Sequence, residues 1–310
     1  MMSGKIKVIA IAGPTASGKS ALALALAKRC GGEIVSCDSM QVYRSMDIGT
    51  AKPTAEEMAG IPHHMIDFLD PEENFSCGDF VEAAHRCIAG ISGQGALPIL
   101  CGGTGLYMDN VLWDTELCAA GEDPAYRAEL ERLDSRTLHE KLREIDPESA
   151  DAIHENNRKR VIRALEIFKV SGMTKTEWDR RSRVQTSRYD ALRFTLTGDR
   201  ALLYERIERR VDQMMAEGLL DEVKALLPRL GKTAAQAIGY KELGGFLRGE
   251  CSLPEAVALL KQSTRNYAKR QLTWSAHHLP ETQIFLPIDG KTPDELLAEI
   301  TPAVEYFLTH

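Results

Sequence analysis

Residues 13–20 read GPTASGKS and follow the pattern G-x-x-x-x-G-K-[ST], which is typical of a loop that binds phosphate groups. Gly13 and Gly18 allow the backbone to curl, so that successive N–H groups point inward at phosphate oxygens. Lys19 adds a positive charge, and Ser20 stands where a hydroxyl can ligate Mg²⁺. The residues predicted to hold the phosphate are Gly13, Pro14, Thr15, Ala16, Ser17, Gly18, Lys19 and Ser20. The pattern does not distinguish ATP from other phosphate compounds.

A carboxylate follows the next apolar run of the chain. The segment CDSMQVY, residues 37–43, places Asp38 just after a predicted strand. In parallel α/β sheets, ligands bind at the edge formed by the carboxyl ends of the strands, where this side chain would lie. Asp38 could cap a helix, help to hold Mg²⁺ or act as a general base over the phosphate site, and the residues alone leave these three roles open.

A third apolar run ends in a glycine-rich turn within LPILCGGTGLY, residues 97–107. A phosphotransferase would commonly carry an acidic metal ligand here, but this chain has Gly102, Gly103, Thr104 and Gly105. Glycines at the end of a strand permit close approach of a ligand to the backbone. The turn therefore argues against a kinase and predicts a bulky ligand.

Basic residues recur at helical spacing in the last third of the chain. Arg206 and Arg210 are four residues apart, so their like charges share one face of a predicted helix and cost stability unless an anion lies nearby. A second set with related spacing comprises Lys261, Arg265, Lys269 and Arg270. Ion pairs with acidic helices and contacts with a nucleic-acid backbone would each account for this second set.

The cysteine and histidine patterns do not predict a metal site. The seven cysteines contain no C-x-x-C pair and are odd in number, which is typical of reduced thiols. The adjacent histidines at positions 63–64 and 277–278 lack cysteine or acidic partners at the spacing of metal ligands. Ser20 is therefore the metal ligand that we predict.

Five short apolar runs predict buried strands, at residues 7–13, 33–38, 97–103, 193–198 and 282–288. Helical patterns separate the first of these runs, and this alternation predicts a parallel sheet that is covered on both faces. The stretch from 116 to 185 contains no strand-like run and is rich in Glu, Arg and Leu. The sequence thus predicts an α/β fold, with a P-loop NTPase-like parallel sheet core (1–115 and 186–310) and a helical insertion domain (116–185).

The chain has 310 residues and a formal net charge of −7, but its charge is unevenly distributed. Ten basic residues stand against four acidic ones between Glu155 and Arg188. A surface that faces a polyanion and an ordinary solvated helix face both account for this excess. The first apolar segment, KIKVIAIAG, is too short to span a bilayer and has no cleavage site, so we expect a cytoplasmic protein.

Eight segments, taken in order, resemble the tRNA dimethylallyltransferases, also called tRNA isopentenyltransferases. They are GPTASGKS, DSMQVYRSMDIGTAKPT, PHHMIDFLDP, GGTGLY, DPAYR, RVIRALEIF, AIGYKE and RNYAKRQLTW, which together run from Gly13 to Trp274. The resemblance implies transfer of a dimethylallyl group from dimethylallyl diphosphate to the exocyclic N6 amine of the adenine that is 3′-adjacent to the anticodon of tRNA. It also implies that Mg²⁺ assists the reaction and that diphosphate is released.

The same resemblance implies roles for individual residues. Lys19, Arg210 and Thr15 would act on the diphosphate, while Asp38 would accept the proton of the adenine amine. The implied tRNA contacts are Asp38, Ser39, Met40, Gln41, Thr104, Arg127, Lys159, Arg160 and Arg163. The chain reads NNRKR where many members have Asn-Asp near an Arg, but Arg160 and Arg163 are retained.

Three other functions are compatible with part of the sequence. A prenyltransferase that modifies free adenine nucleotides to make cytokinins would not need a basic insertion. A P-loop small-molecule kinase would leave the glycine-rich turn and the basic sets without a role, and an RNA-binding module would not need the phosphate loop. Eukaryotic members of the family add a C-terminal zinc finger that this sequence lacks, so we expect a member of the bacterial type, and a monomer.

Overall fold

The computed structural model describes residues 4–113, 121, 123–182, 187–278 and 283–310. Contacts divide the chain into two compact units, one made of Met1–Leu112 and Arg188–His310 and the other of Trp113–Ser187. Parts of the sequence predictions lie outside the described ranges: the domain bounds at 115–116 and 185–186, one of the seven cysteines (Cys118), one of the ten basic residues (Arg183) and residue 282 of the last predicted strand. In the described part of the chain, no helix is long and apolar enough to cross a membrane.

A six-stranded sheet with the order β3-β2-β4-β1-β5-β6 forms the centre of the first unit, and all neighbouring strands are parallel. The strands are β1 (Lys7–Ala12), β2 (Gly32–Ser36), β3 (His63–His64), β4 (Leu97–Gly102), β5 (Asp190–Thr197) and β6 (Ile284–Pro287). The α/β fold class and the five predicted strands are confirmed. The edge strand β3 was not predicted, because two histidines do not form an apolar run.

Burial on both faces explains the apolar sequence of the central strands. Residues 8–11 of β1 are fully buried, as expected for a parallel strand between two layers of helices. Ile9 lies opposite Ile99 of β4, and both pack in one cluster with Leu22 and Leu26 from the helix that follows β1. Each such side chain contributes about 1.5–3 kcal/mol when it is fully buried.

Helices cover this sheet and extend beyond it. Those of the first unit are α1 (Lys19–Cys30), α2 (Ala55–Met58), α3 (Cys77–Gly93), α4 (Gly105–Leu112), α10 (Arg200–Ala216), α11 (Leu219–Leu226), α12 (Tyr240–Leu247), α13 (Leu253–His277) and α14 (Pro293–Thr309). Thr54, Ser76 and Thr292 start their helices with a capping box, in which the cap side chain accepts an N–H three residues later. Helix α1 instead begins directly after Gly18 of the phosphate loop.

The strand order brings three predicted features to one edge of the sheet. Strand β4 lies between β1 and β2, and parallel strands end at the same edge. The phosphate loop follows β1, Asp38 follows β2 and Thr104 follows β4. Hydrogen bonds from Cys37 N to Cys101 O (2.8 Å) and from Thr104 N to Cys37 O (3.2 Å) extend the pairing of β2 and β4 towards this edge.

The second unit is helical in its described residues. Its helices are α5 (Pro124–Glu131), α6 (Ser135–Ile145), α7 (Pro147–Ala152), α8 (Arg158–Ser171) and α9 (Lys175–Ser182). Leu130, Leu138, Leu142, Val161 and Leu165 form its hydrophobic core. An antiparallel bridge between residues 113 and 187 joins the two ends of the unit.

Candidate active site

The phosphate loop is shaped by two residues with left-handed backbone conformations, Ala16 (φ 63°) and Gly18 (φ 86°). Glycine adopts this conformation without strain, which explains why it is favoured at residue 18, where a Cβ atom would meet no neighbour. The Nζ of Lys19 donates a hydrogen bond to the carbonyl of Pro14 at 3.3 Å. Burial lowers the pKa of Lys19 from its usual value, because an ammonium group loses hydration there. The loop thus holds a partly desolvated cation at the N-terminus of α1, as anion binding requires.

Helix α10 brings a second cation to this loop. The Nη1 of Arg210 donates a hydrogen bond to the hydroxyl of Thr15 at 3.3 Å, across 195 residues of sequence. Burial lowers the pKa of Arg210, and the negative charge of Asp38 acts in the opposite direction. The predicted grouping of Thr15, Lys19 and Arg210 therefore places two cations around one loop, where an anion would relieve their mutual repulsion.

Asp38 uses one carboxylate oxygen to hold its own turn. Its Oδ1 accepts hydrogen bonds from the N–H groups of Met40 at 2.8 Å and Gln41 at 3.3 Å. Within the described residues, the hydrogen bonds of Asp38 all involve Oδ1, so Oδ2 is available to a ligand. Asp38 therefore caps a turn rather than a helix. The general-base role is compatible with this, because it would use the other oxygen.

A cavity of about 250 Å³ in the first unit joins these groups to an apolar wall. Its polar lining includes Thr15, Asp38 and Arg210. Its apolar lining includes Ile207, Val211, Met214, Leu219, Ile238 and Leu260. The cavity can therefore hold an anionic group together with a short hydrocarbon.

Glu222 on α11 fixes a loop of the cavity wall, and the sequence analysis did not identify it. Its carboxylate accepts N–H hydrogen bonds from Asp47 (3.0 Å), Ile48 (2.8 Å) and Gly49 (2.9 Å). The hydroxyl of Tyr240 donates to the same carboxylate at 2.5 Å. Gly49 lines the cavity, so Glu222 determines the position of one part of its wall. A single Glu in an amphipathic helix carries no sequence signal of this role.

Protein side chains lie directly against the glycine-rich turn after β4. A Cβ atom on Gly103 would lie 2.1 Å from Nε2 of Gln271, and one on Gly105 would lie 2.2 Å from the ring of Trp274. Both neighbours belong to α13, and Trp274 Nε1 also donates to Asp109 at 2.7 Å. Close approach to these glycines is confirmed, by side chains of α13, whereas the approach of a bulky ligand stays a prediction.

Of the four basic residues in the second set, two form ion pairs with acidic residues and two are exposed. Lys261 forms an ion pair with Asp212 at 2.6 Å, and Arg265 forms one with Glu208 at 2.6 Å, both on α10. For these two, the acidic-helix account is correct. Lys269 and Arg270 are exposed, and Arg270 lies over the ring of Tyr267 and lines the cavity.

The segment that follows Asp38 divides between the cavity and the protein interior. Ser39 and Met40 line the cavity. The carboxamide of Gln41 accepts from the hydroxyl of Ser36 at 2.9 Å and donates to the carbonyls of residues 50 and 51, so it braces the loop. Thr104 is half-buried, and its hydroxyl lies beside that of Tyr267, whose pKa burial raises to about 12.

The basic residues of the second unit that were predicted to contact tRNA are of two kinds: some pair with a buried carboxylate and others are exposed. Glu166 is fully buried and accepts hydrogen bonds from Arg127 at 2.6 Å and Arg163 at 2.7 Å. Burial alone would raise the pKa of Glu166, but the two guanidinium groups outweigh it and hold the pKa below its usual value. Lys159 and Arg160, on the first turn of α8, are exposed. Arg127 and Arg163 therefore have a structural role that the sequence did not indicate.

The described residues contain no group of three or more His, Cys, Asp or Glu side chains that could hold a metal ion. Ser20 is exposed at the start of α1, beside the thiol of Cys101. Mg²⁺ commonly keeps several waters and binds through substrate phosphates with one or two protein oxygens. The residues present fit an ion of this kind, held mainly by phosphate oxygens with Ser20 as a protein ligand.

Two family models and the similar proteins agree with one another over most of the chain. The family model described as IPP transferase matches residues 41–278, and a model described as isopentenyl transferase matches residues 6–73. A tRNA dimethylallyltransferase of Halalkalibacterium halodurans is 52% identical over 276 residues, which are 87% of this chain and 88% of the relative. One of Geobacillus thermodenitrificans is 48% identical over 280 residues, 88% of this chain and 89% of the relative.

Solved structures of similar proteins have the same fold. The tRNA isopentenylpyrophosphate transferase of Bacillus halodurans has a TM-score of 0.75 at 46% identity, with 98% of this chain and 97% of that chain covered. A eukaryotic dimethylallyltransferase, described as acting on tRNA, has a TM-score of 0.84 at 30% identity, with 98% of this chain and 79% of that chain covered.

Proposed function

This chain belongs to the IPP transferase family, and from that premise we propose the reaction that it catalyses. The resemblance predicted from its sequence is confirmed by relatives that are about half identical over most of the chain. In the proposed reaction, a dimethylallyl group passes from dimethylallyl diphosphate to the N6 amine of the adenine 3′-adjacent to the anticodon of tRNA. A C–N bond forms, the allylic C–O bond breaks, and diphosphate is released.

The observation that carries this proposal is the mixed lining of the cavity. Thr15 and Arg210, which are hydrogen-bonded to each other at the phosphate loop, line the same cavity as a set of apolar side chains. Such a site suits a donor that has a diphosphate head and a short branched hydrocarbon.

The loop residues would act on the leaving group. As the allylic C–O bond breaks, negative charge accumulates on the departing diphosphate, and donors that are already in position stabilise it. Lys19, Arg210 and the loop N–H groups supply those donors. Mg²⁺, when bound at Ser20, would supply further positive charge to the diphosphate oxygens.

Asp38 would take up the proton that the amine loses. The amine of adenine is a poor nucleophile, because its lone pair is delocalised into the ring. A carboxylate oxygen within reach can accept the proton as the C–N bond forms. Oδ2 suits this role, since Oδ1 already accepts the N–H groups of Met40 and Gln41. The target base must leave its stack to reach the cavity, as in other enzymes that modify bases.

A transfer experiment separates this function from its alternatives. The protein is incubated with Mg²⁺ and dimethylallyl diphosphate labelled in the hydrocarbon, with either unmodified tRNA or AMP as acceptor. We expect label in tRNA and none in AMP. Label in AMP alone would support a cytokinin-type enzyme, and transfer of a labelled ATP phosphate would support a kinase.

The exposed basic residues at the start of α8 are proposed to contact tRNA phosphates. Reversal of both Lys159 and Arg160 to Glu should weaken tRNA binding and reduce the slope of log K against log salt concentration by about 1 to 2. The affinity for dimethylallyl diphosphate should not change. Filter binding of tRNA across a salt series measures the tRNA affinity and the slope of its salt dependence.

Arg163 is not used in this test, because its reversal would place a second carboxylate against buried Glu166. The charge-matched control reverses Arg136 and Arg143, which are exposed on α6 and paired with Glu140 and Asp151. An equal loss of tRNA affinity in the control would mean that the loss comes from the change in net charge and not from contacts made by Lys159 and Arg160. Unchanged binding after reversal of Lys159 and Arg160 would remove them from the interface.

The cytoplasmic location and the monomeric state stay predictions from the sequence. A native mass measurement on the purified protein tests the second of them directly.

A further inference from the structure

Gln271 of α13 joins two loops of the candidate active site. Its side chain is largely buried, with the residue 8% exposed. Its Oε1 accepts a hydrogen bond from the N–H of Thr15 at 2.9 Å, and its Nε2 donates to the carbonyl of Gly103 at 2.9 Å. One partner can only donate and the other can only accept, so together they fix the orientation of the carboxamide.

Close packing also restricts the position of this carboxamide. Glycine at residue 103 allows the carboxamide to take this position, because a Cβ atom there would lie 2.1 Å from Nε2 of Gln271 and displace it. Thr15 is held twice, by Gln271 through its N–H and by Arg210 through its hydroxyl. A single loop residue is therefore connected to α13 by its backbone and to α10 by its side chain.

This connection restricts how the loop can bind an anion. The N–H of Thr15 is already donated to Gln271, so the phosphate oxygens are left to the N–H groups later in the loop and to the two cations. Without the carboxamide, that N–H and the carbonyl of Gly103 would both lose a buried partner, and the loop could adopt other conformations. Donors stabilise a developing charge only when they are in position before the reaction.

We propose that Gln271 is a positioning residue for the transfer reaction. It holds the backbone of Thr15 so that the loop amides, Lys19 and Arg210 surround the departing diphosphate. The proposal rests on the proposed function and adds to it a residue outside the loop, 256 positions away in the sequence from Thr15. A purely structural role would predict a less stable protein whose folded fraction reacts at the parent rate.

The first test replaces Gln271 by Met, which keeps the length of the side chain and removes both hydrogen bonds. We expect kcat to fall about 10- to 100-fold, because donor geometry matters most in the transition state. The KM for dimethylallyl diphosphate should change by less than about 3-fold, since ground-state binding uses the same charges. The tRNA affinity should match the parent protein. The matched control is Gln262→Met, an exposed position on the same helix.

The second test uses Gln271→Glu and the pH dependence of the rate. An ionised carboxylate still accepts from Thr15 but cannot donate to the carbonyl of Gly103. A protonated carboxyl can do both, and burial raises the pKa of such a group. The ratio of variant to parent kcat should therefore rise as the pH falls from about 8 to about 6. Division by the parent rate cancels the titration of groups that both proteins share.

The outcomes separate this proposal from the function on which it rests. If the parent protein does not transfer label to tRNA, the proposed function fails. If the parent is active and folded Gln271→Met reacts within about 2-fold of its rate, the positioning role is wrong. If Gln271→Met does not fold, the Gln271→Glu ratio decides, and a ratio that is constant with pH would contradict the proposal.

Discussion

Asp38→Asn is expected to lower the single-turnover rate of transfer by about 100- to 10,000-fold. An Asn can keep the turn, because its carbonyl oxygen can accept from Met40 and Gln41 as Oδ1 does now. Its amide nitrogen then takes the place of Oδ2 and cannot accept the proton of the amine. The substitution therefore removes the proposed base while the local structure is retained, and binding of dimethylallyl diphosphate should survive.

A series of Mg²⁺ concentrations distinguishes the three roles that the sequence left open for Asp38. A magnesium ligand would give partial rescue at high metal concentration, whereas a base would give none. The matched control is Glu57→Gln, because Glu57 is a second carboxylate that acts on the pKa of Arg210 but does not line the cavity. Near-parent rates for Asp38→Asn at every metal concentration would show that Asp38 only caps its turn.

Lys19→Ala is expected to abolish measurable turnover, with a loss of more than about 1,000-fold. The ammonium group sits beside the phosphate loop, where burial lowers its pKa, so its charge is poorly screened by water. It should therefore interact strongly with a diphosphate whose negative charge increases in the transition state. Isothermal titration with inorganic pyrophosphate and Mg²⁺ measures the binding part of this loss, and rapid-quench kinetics measure the rest.

Arg210→Ala provides the comparison within the same site. The loop amides and Lys19 remain in that variant, so we expect a smaller loss, of about 100- to 1,000-fold in turnover. Lys28→Ala, an exposed position on α1, should react at the parent rate. A parent-like rate for Arg210→Ala would exclude this arginine from the reaction, and a parent-like rate for Lys19→Ala would exclude diphosphate as the ligand of the loop.

The sequence predicted those features that depend on local patterns. Short apolar runs predicted five of the six strands, because central parallel strands are buried on both faces. The phosphate loop was recognised because its glycine, lysine and serine have fixed spacing. These predictions need only neighbouring residues, and the fold class followed from their alternation with helices.

Features that depend on distant pairs were not predictable from one sequence. The contact between Gln271 and Thr15 joins residues that are 256 positions apart, and the three N–H groups held by Glu222 come from a loop about 170 positions earlier. For the same reason, the sequence did not show that Trp274 and Gln271 lie against the glycine-rich turn. The spacing of arginines likewise did not show that Arg163 is paired with buried Glu166.

We expect this chain to transfer a dimethylallyl group to one particular amine of tRNA. The most direct test compares an unmodified tRNA with one in which the adenine 3′-adjacent to the anticodon is replaced by a purine that lacks the exocyclic amine. With hydrocarbon-labelled dimethylallyl diphosphate and Mg²⁺, we predict that label enters the first tRNA, with one diphosphate released per group transferred, and that none enters the second. Equal labelling of the two tRNAs, or release of diphosphate without labelling of either, would contradict transfer to this amine.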